Sequence, residues 1–159
     1  MAVTRAFLDT SVLLGGLIDF GESSRPAQRL MGALADGRLA DCRTAWHCCL
    51  EFYSVATRLP AEYRLVPRDA LRLLEEEVLG RLEVRDLPAD TRLSMLREAV
   101  EDRVAGGRIY DAHIAETARA SGVGVVVTDN RRHFTALVKH GIGVVTAAEF
   151  VTRLTPHSR

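Results

Sequence analysis

Apolar positions along this 159-residue chain fall into short blocks that alternate between two spacings. Residues 5–9, Arg-Ala-Phe-Leu-Asp, are a brief apolar run ending in an acid and predict a buried strand. Residues 11–19 carry helical spacing, with Thr10 or Ser11 in position to cap that helix. A second helix is predicted over 25–36, with Pro26 in its first turn, and a short strand near 39–43. A longer helix covers 46–58 and stops before Pro60. The next starts at Pro67 and sets Leu71, Leu74 and Val78 at helical spacing. A strand candidate at 82–86 precedes a helix over 89–104, marked by Leu93, Leu96 and Val100.

Gly106-Gly107 interrupts the pattern, a helix follows over about 110–120, and Gly122 ends it as a C-cap. Residues 123–128, Val-Gly-Val-Val-Val-Thr, are continuous and β-branched, the pattern of a strand buried on both faces in a parallel sheet. A short helix near 131–139, a strand at 142–145 and a helix at 146–153 close the chain. Strands alternating with helices predict an α/β three-layer sandwich with a mostly parallel central sheet. No repeat, low-complexity tract or long Pro/Gly linker intervenes, so 1–154 reads as one domain and 155–159 as a loose tail.

Composition narrows the function less than the pattern does. The chain is 47% hydrophobic and 26% charged, ordinary for a globular domain. With 21 basic and 21 acidic residues the net charge is zero, so a polyanion must be held by a local patch. Lys139 is the only lysine; the arginines suit bidentate phosphate contact and ordinary surface ion pairs alike. Cys42, Cys48 and Cys49 have neither disulfide nor zinc spacing and read as small, half-buried side chains. No run approaches the ~18 apolar residues of a membrane span. The first residues lack a signal-peptide pattern, so a cytoplasmic setting is expected.

Open parallel sheets bind ligands outside the carboxyl ends of their strands. Asp9 ends the first strand, and Asp129 and Asn130 follow the valine-rich one. Asp111 stands in a first helical turn after Gly-Gly. If the first and fourth strands are neighbours, these groups face one crevice. Each alone has a structural job: Asp9 as an N-cap, Asp111 as a helix-dipole partner, Asp129 and Asn130 as turn formers. Glu51 is harder to explain, because it sits mid-helix in the apolar stretch Cys48-Cys49-Leu50-Glu51-Phe52. A carboxylate there costs energy unless it is paired, hydrogen-bonded or bound to metal. Clustered carboxylates repel, and a hard divalent cation such as Mg²⁺ or Mn²⁺ suits an all-oxygen site. Such an ion activates water against a phosphodiester. Thr10, Ser11 and Thr128 add hydroxyls at the same rim and serve equally well as caps and turn formers. Asp111, Ala115 and Ala118 share one helix face, where small residues allow close packing.

Taken together and in order, several stretches resemble the PIN-domain nucleases, and within them the VapC toxins of bacterial toxin–antitoxin pairs. They are Phe7-Leu8-Asp9-Thr10-Ser11, Glu51 to Pro60, Gly106 to Asp111 with Ala115 and Ala118, and Val127 to Asn130 with His133-Phe134. The resemblance spans about residues 5–153. It implies a Rossmann-like sheet, Mg²⁺- or Mn²⁺-dependent endoribonuclease activity on RNA, a homodimer, and a small VapB-like antitoxin that blocks the site. Asp9 and Asp111 match the two core metal ligands, and Glu51 matches the second family acid. The fourth catalytic position is open between Asp129 and Asn130. The family pattern, Thr then any residue then Asp or Asn, points to Asn130. His113 stands where the family more often has an aliphatic residue and is expected to be a buried, satisfied histidine. Arg108, Arg131, Arg132 and His133 are candidates for phosphate contact.

Other readings fit less well. A haloacid-dehalogenase-type phosphatase needs a second Asp where this chain has Ser11, together with a well-placed Lys. A phosphoacceptor receiver domain needs an acidic pair after the first strand and a late Lys. A PIN-like module kept only for binding RNA or protein would be expected to lose Asp9 or Asp111, and both are present.

Overall fold

Val125–Val127 form strand β4, buried throughout, and Ala6–Leu8 form β1 beside it in parallel register, Leu8 opposite Val127. The computed structural model describes residues 5–154; the expected tail at 155–159 lies outside them. Arg43–Ala45 (β2) flanks β1 on its other side, with Glu83–Arg85 (β3) beyond it. Gly143–Val145 (β5) lies beyond β4. All four pairings are parallel and the order is β3-β2-β1-β4-β5. The sheet is thus wholly parallel where the pattern predicted mostly parallel. Strand order reverses at β1, so the β1/β4 carboxyl ends form the switch-point crevice.

The helices are α1 (Thr10–Leu17), α2 (Arg25–Ala35), α3 (Trp46–Ala56), α4 (Pro67–Leu73), α5 (Arg92–Glu101), α6 (Arg108–Ala120) and α7 (Ala147–Leu154). A π-helical turn over Leu74–Leu79 continues α4. Right-handed crossovers in opposite directions put α1 to α4 on one face and α5 and α6 on the other. Helix packing agrees: α1, α2 and α7 stack together, and α6 packs on β2 and α5. Phe7, Leu8, Val12, Leu13, Val126 and Val127 are fully enclosed between them. None of the described helices is long and apolar enough to cross a membrane.

Several predicted boundaries move, each for a local reason. The strand expected at 39–43 starts at Arg43, because Asp41 adopts left-handed backbone (φ 55°) and breaks the run before it. The helix expected at 131–139 is two 3₁₀ turns, Arg131–His133 and Thr135–His140. Its buried anchors Phe134 and Leu137 lie three apart, the 3₁₀ repeat. Neither Thr10 nor Ser11 caps α1; Asp9 occupies the N-cap position, and its side chain makes no capping hydrogen bond. Gly122 does end α6 in left-handed backbone (φ 69°). Thr146 and Glu149 form an unforeseen capping box at α7, with the Glu149 amide donating to Thr146 Oγ1 at 3.2 Å and the Thr146 amide to Glu149 Oε2 at 3.4 Å.

Helix α1 carries the chain away from Asp9, and its seat against α2 depends on Gly16. A Cβ at Gly16 would strike Met31 Cγ and stand 3.0 Å from the Ala27 carbonyl oxygen. Overpacking of this kind costs roughly 1–3 kcal/mol. Gly16→Val is therefore expected to lower unfolding free energy by that amount in a urea titration. An unchanged midpoint would show that α1 and α2 separate freely.

Candidate functional site

Asp9 is the first residue past β1 and only 5% exposed. Its amide still donates to the Val127 carbonyl at 3.1 Å, which fixes it at the sheet edge. Its carboxylate accepts hydrogen bonds from Thr128 Oγ1 at 2.8 Å and Ser11 Oγ at 3.0 Å. Burial raises the carboxyl above the ordinary aspartate value, and those two hydroxyl donors oppose the rise. Thr128 and Ser11 do more than cap or turn: they hold the acid in one orientation. The Asp129 amide donates to Ser11 Oγ and the Asn130 amide to Thr128 Oγ1, extending the network into the loop after β4.

Glu51 reaches the same place from α3. Its side chain is 39% exposed, more open than its apolar neighbours in sequence implied. Burial raises its carboxyl, and the charges of Asp9 and then Asp111 push the same way. Glu51 therefore feels two acids from two other segments across the crevice. Thr10 lies close enough to favour the ionised form of Glu51. Yet Thr10 Oγ1, fully buried, has no hydrogen-bond partner among the described residues.

Asp111 stands in the first turn of α6, three residues after the helix starts at Arg108. Gly106, with φ 61°, makes the turn that starts it. The helix is seated partly by Arg43, whose guanidinium bonds the Ser121 carbonyl at the end of α6 and pairs with Glu83 at 3.1 Å. Asp111 Oδ2 lies 3.3 Å from His133 Nδ1, and Glu51 Oε2 lies 3.6 Å from His47 Nε2. His47 is a site residue the sequence pattern missed; its i,i+4 spacing to Glu51 on α3 was the available signal. Its ring stacks on Tyr110 (centroids 5.4 Å) and meets the His113 ring edge-on (5.3 Å). Burial lowers the His47 pKa, against the charge of Asp111. His113 is half-buried and faces this cluster, contrary to the expectation of a buried core histidine.

Asp129 is differently placed. Burial raises its carboxyl and the Ala147 amide at the start of α7 lowers it, whereas the charges acting on Glu51 come from Asp9 and Asp111. The start of α7 thus acts on Asp129. Arg131 is drawn off too, bonded to Glu149 at 3.0 Å. Arg108 and Arg132 remain, lining with Asp111, His133, Lys139 and His140 a cleft of about 370 Å³. Lys139 and His140 join it from the second 3₁₀ turn, outside the sequence-predicted patch.

Among the described residues no three acids, histidines or cysteines form a ready metal cage. The donor set still fits a hard cation: mutually repelling carboxylates held against burial, and a buried hydroxyl left without a partner. Thiolate chemistry does not fit, because burial pushes Cys42 and Cys48 up to about 12 and Cys49 to about 11. All three are buried, more deeply than the sequence suggested.

Comparison with known proteins agrees with this arrangement. Residues 5–132 match the model of a family described as PIN domain. Ribonuclease VapC27 of Mycobacterium tuberculosis is 37% identical over 102 residues, 64% of this chain and 72% of that protein. Ribonuclease VapC40 of the same organism is 32% identical over 123 residues, 77% and 85% of the two. The structure of DNA-bound VapBC from Salmonella typhimurium superposes with a TM-score of 0.59 at 23% identity, covering 91% of this chain and 99% of that one; it is alike in fold.

The raised acids set the pH response of the metal-free protein. A carboxyl raised in the folded state costs stability fully above its folded pKa, and the cost vanishes below the unfolded value of about 3.9. In chelator at pH 7.5, Asp9→Asn should therefore melt higher than the parent, with the gap closing as pH falls toward 4. A variant that melts no higher at pH 7.5 would mean the hydroxyl donors outweigh burial.

Proposed function

The chain belongs to the PIN-domain family, and we propose that it is a Mg²⁺- or Mn²⁺-dependent endoribonuclease, the toxin of a VapBC-type pair. The observation that carries this reading is the buried Asp9 carboxylate at the switch point, held by Thr128 and Ser11, with Glu51 near enough to feel the charges of Asp9 and Asp111. The likeness to two ribonucleases supports the substrate class. The protein is proposed to act in the cytoplasm, as a homodimer, under a small VapB-like antitoxin. An exposed apolar stripe on α3, Trp46, Leu50 and Tyr53, supports contact with a protein partner beside the site.

A bound divalent ion would supply Lewis acidity toward the phosphodiester and acidify a water. Asp9 and Asp111 are the residues to hold it. Thr128 and Ser11 keep the Asp9 oxygens oriented, and Thr10 offers its free hydroxyl to a bound water. Glu51, raised by burial and by its neighbours, is suited to take the proton of the attacking water. Arg108 and Arg132 offset phosphate charge along the cleft.

Asp9→Asn or Asp111→Asn should each reduce RNA cleavage by at least about 100-fold, the scale of losing one preorganised electrostatic group. Circular dichroism should show the fold intact. Parent cleavage should need added Mg²⁺ or Mn²⁺ and stop in chelator. Full activity of both variants, or cleavage that persists in chelator, would sink the assignment. No cleavage of any RNA by the parent would favour a binding module instead.

The fourth position is proposed to be Asn130, two residues after Thr128. Asp129→Asn should cost less activity than Asn130→Ala in the same assay. The opposite order would return the role to Asp129.

A further inference from the structure

A second cavity, of about 380 Å³, lies beside the first turn of α6 and shares Met95 with the basic cleft. That volume is in the range of small-molecule sites, roughly 300–1,000 Å³. Leu87, Leu96 and Ile109 give it apolar walls, and Tyr110 and His113 add two rings. The Tyr110 ring is braced by His47 and still 56% exposed. Asp86 and Arg92, both exposed, bring one carboxylate and one guanidinium to the lining.

Tyr110 adjoins Asp111, and consecutive Cα atoms are about 3.8 Å apart. A ligand in the cavity therefore lies beside the helical turn that carries Asp111. His47, which stacks on Tyr110, is also the residue that meets Glu51. We propose that this cavity receives one unstacked nucleobase of the RNA, a guanine, from a nucleotide flanking the bond that is cut; the proposal rests on the nuclease reading. Single-stranded RNA is read by stacking a splayed base on aromatic rings and bonding its edge. Guanine presents adjacent N1–H and N2–H donors, which suit the Asp86 carboxylate. It presents O6 and N7 acceptors, which suit Arg92. An apolar protein side chain in the same place would dehydrate both charges without pairing either.

Binding in chelator tests the pocket apart from the chemistry. Fluorescently labelled five-nucleotide RNAs, alike except for G, A, U or C at the centre, are titrated against the full chain and read by anisotropy. The guanosine oligomer should bind about tenfold more tightly than the uridine one, within the range of a bidentate base contact. Asp86→Asn and Leu96→Trp should each abolish the difference. Leu96 is 49% exposed, so the larger ring fills the cavity without entering the core, and melting curves check the fold. Sequencing of RNA ends after cleavage in Mg²⁺ should then place guanosine at one fixed position beside the cut. Equal binding of the four oligomers overturns the pocket assignment, whatever the cleavage assay gives. Guanosine preference without cleavage in Mg²⁺ or Mn²⁺ keeps the pocket and rejects the nuclease reading. Base-indifferent binding, with self-association lost in Leu96→Trp, assigns the cavity to a second copy of the chain and also overturns the proposal.

Discussion

Everything at this site follows from one constraint: a carboxylate is buried at the end of a strand that is itself buried. Asp9 cannot swing into solvent, because its amide is tied to the Val127 carbonyl and its chain turns at once into α1. The protein meets the cost with two hydroxyls, Thr128 from β4's end and Ser11 from α1, and not with a basic side chain. Hydroxyl donors orient the oxygens but leave the negative charge in place. A lysine or arginine there would neutralise it and leave nothing for a cation to do. The crevice is stable enough to form and still electrostatically unsatisfied, which is the state a hard cation relieves.

The three acids differ in how firmly they are held. Asp9 is set by the sheet and is buried. Glu51 and Asp111 come from helices on opposite faces, are part-exposed, and each has a histidine within 4 Å. A fixed acid defines where positive charge belongs. Under the proposed reaction, two part-exposed ones would have room to adjust to substrate and water as the charge between them changes. Because α6 also carries Tyr110 and borders both the basic cleft and the ring-lined cavity, its N-terminus is where phosphate and base contacts would meet.

Asp9, Asp111 and Glu51 were legible because each sits where a regular pattern breaks: at a strand end, after Gly-Gly, and inside an apolar helix run. Their order along the chain carried the family as well. What stayed hidden depends on distant pairings that periodicity does not encode. Arg131 reads as a loop cation until α7 brings Glu149 to it. Asp129 reads equally as a site acid or a turn former, and periodicity does not reveal that the Ala147 amide at the start of α7 acts on its carboxyl. His113 is expected to be buried because the family more often has an aliphatic residue there, yet its ring meets that of His47 edge-on. Boundaries failed where one backbone angle decided them, as at Asp41 before β2.

The loop after β4 shows why a residue's chemistry and its place have to be argued separately. Asp129 is the better ligand by charge, and Asn130 is the neutral neighbour. But Thr128 Oγ1 donates to Asp9 and also accepts the Asn130 amide, so Asn130 is tied to the buried acid through one atom. Asp129 is tied to the same network only by its backbone, through Ser11, while the start of α7 acts on its carboxyl. Position favours Asn130 and charge favours Asp129. With Asp9 and Glu51 already raised, a fourth full charge would add to the repulsion the fold resists. A neutral amide there could orient water or phosphate without that penalty.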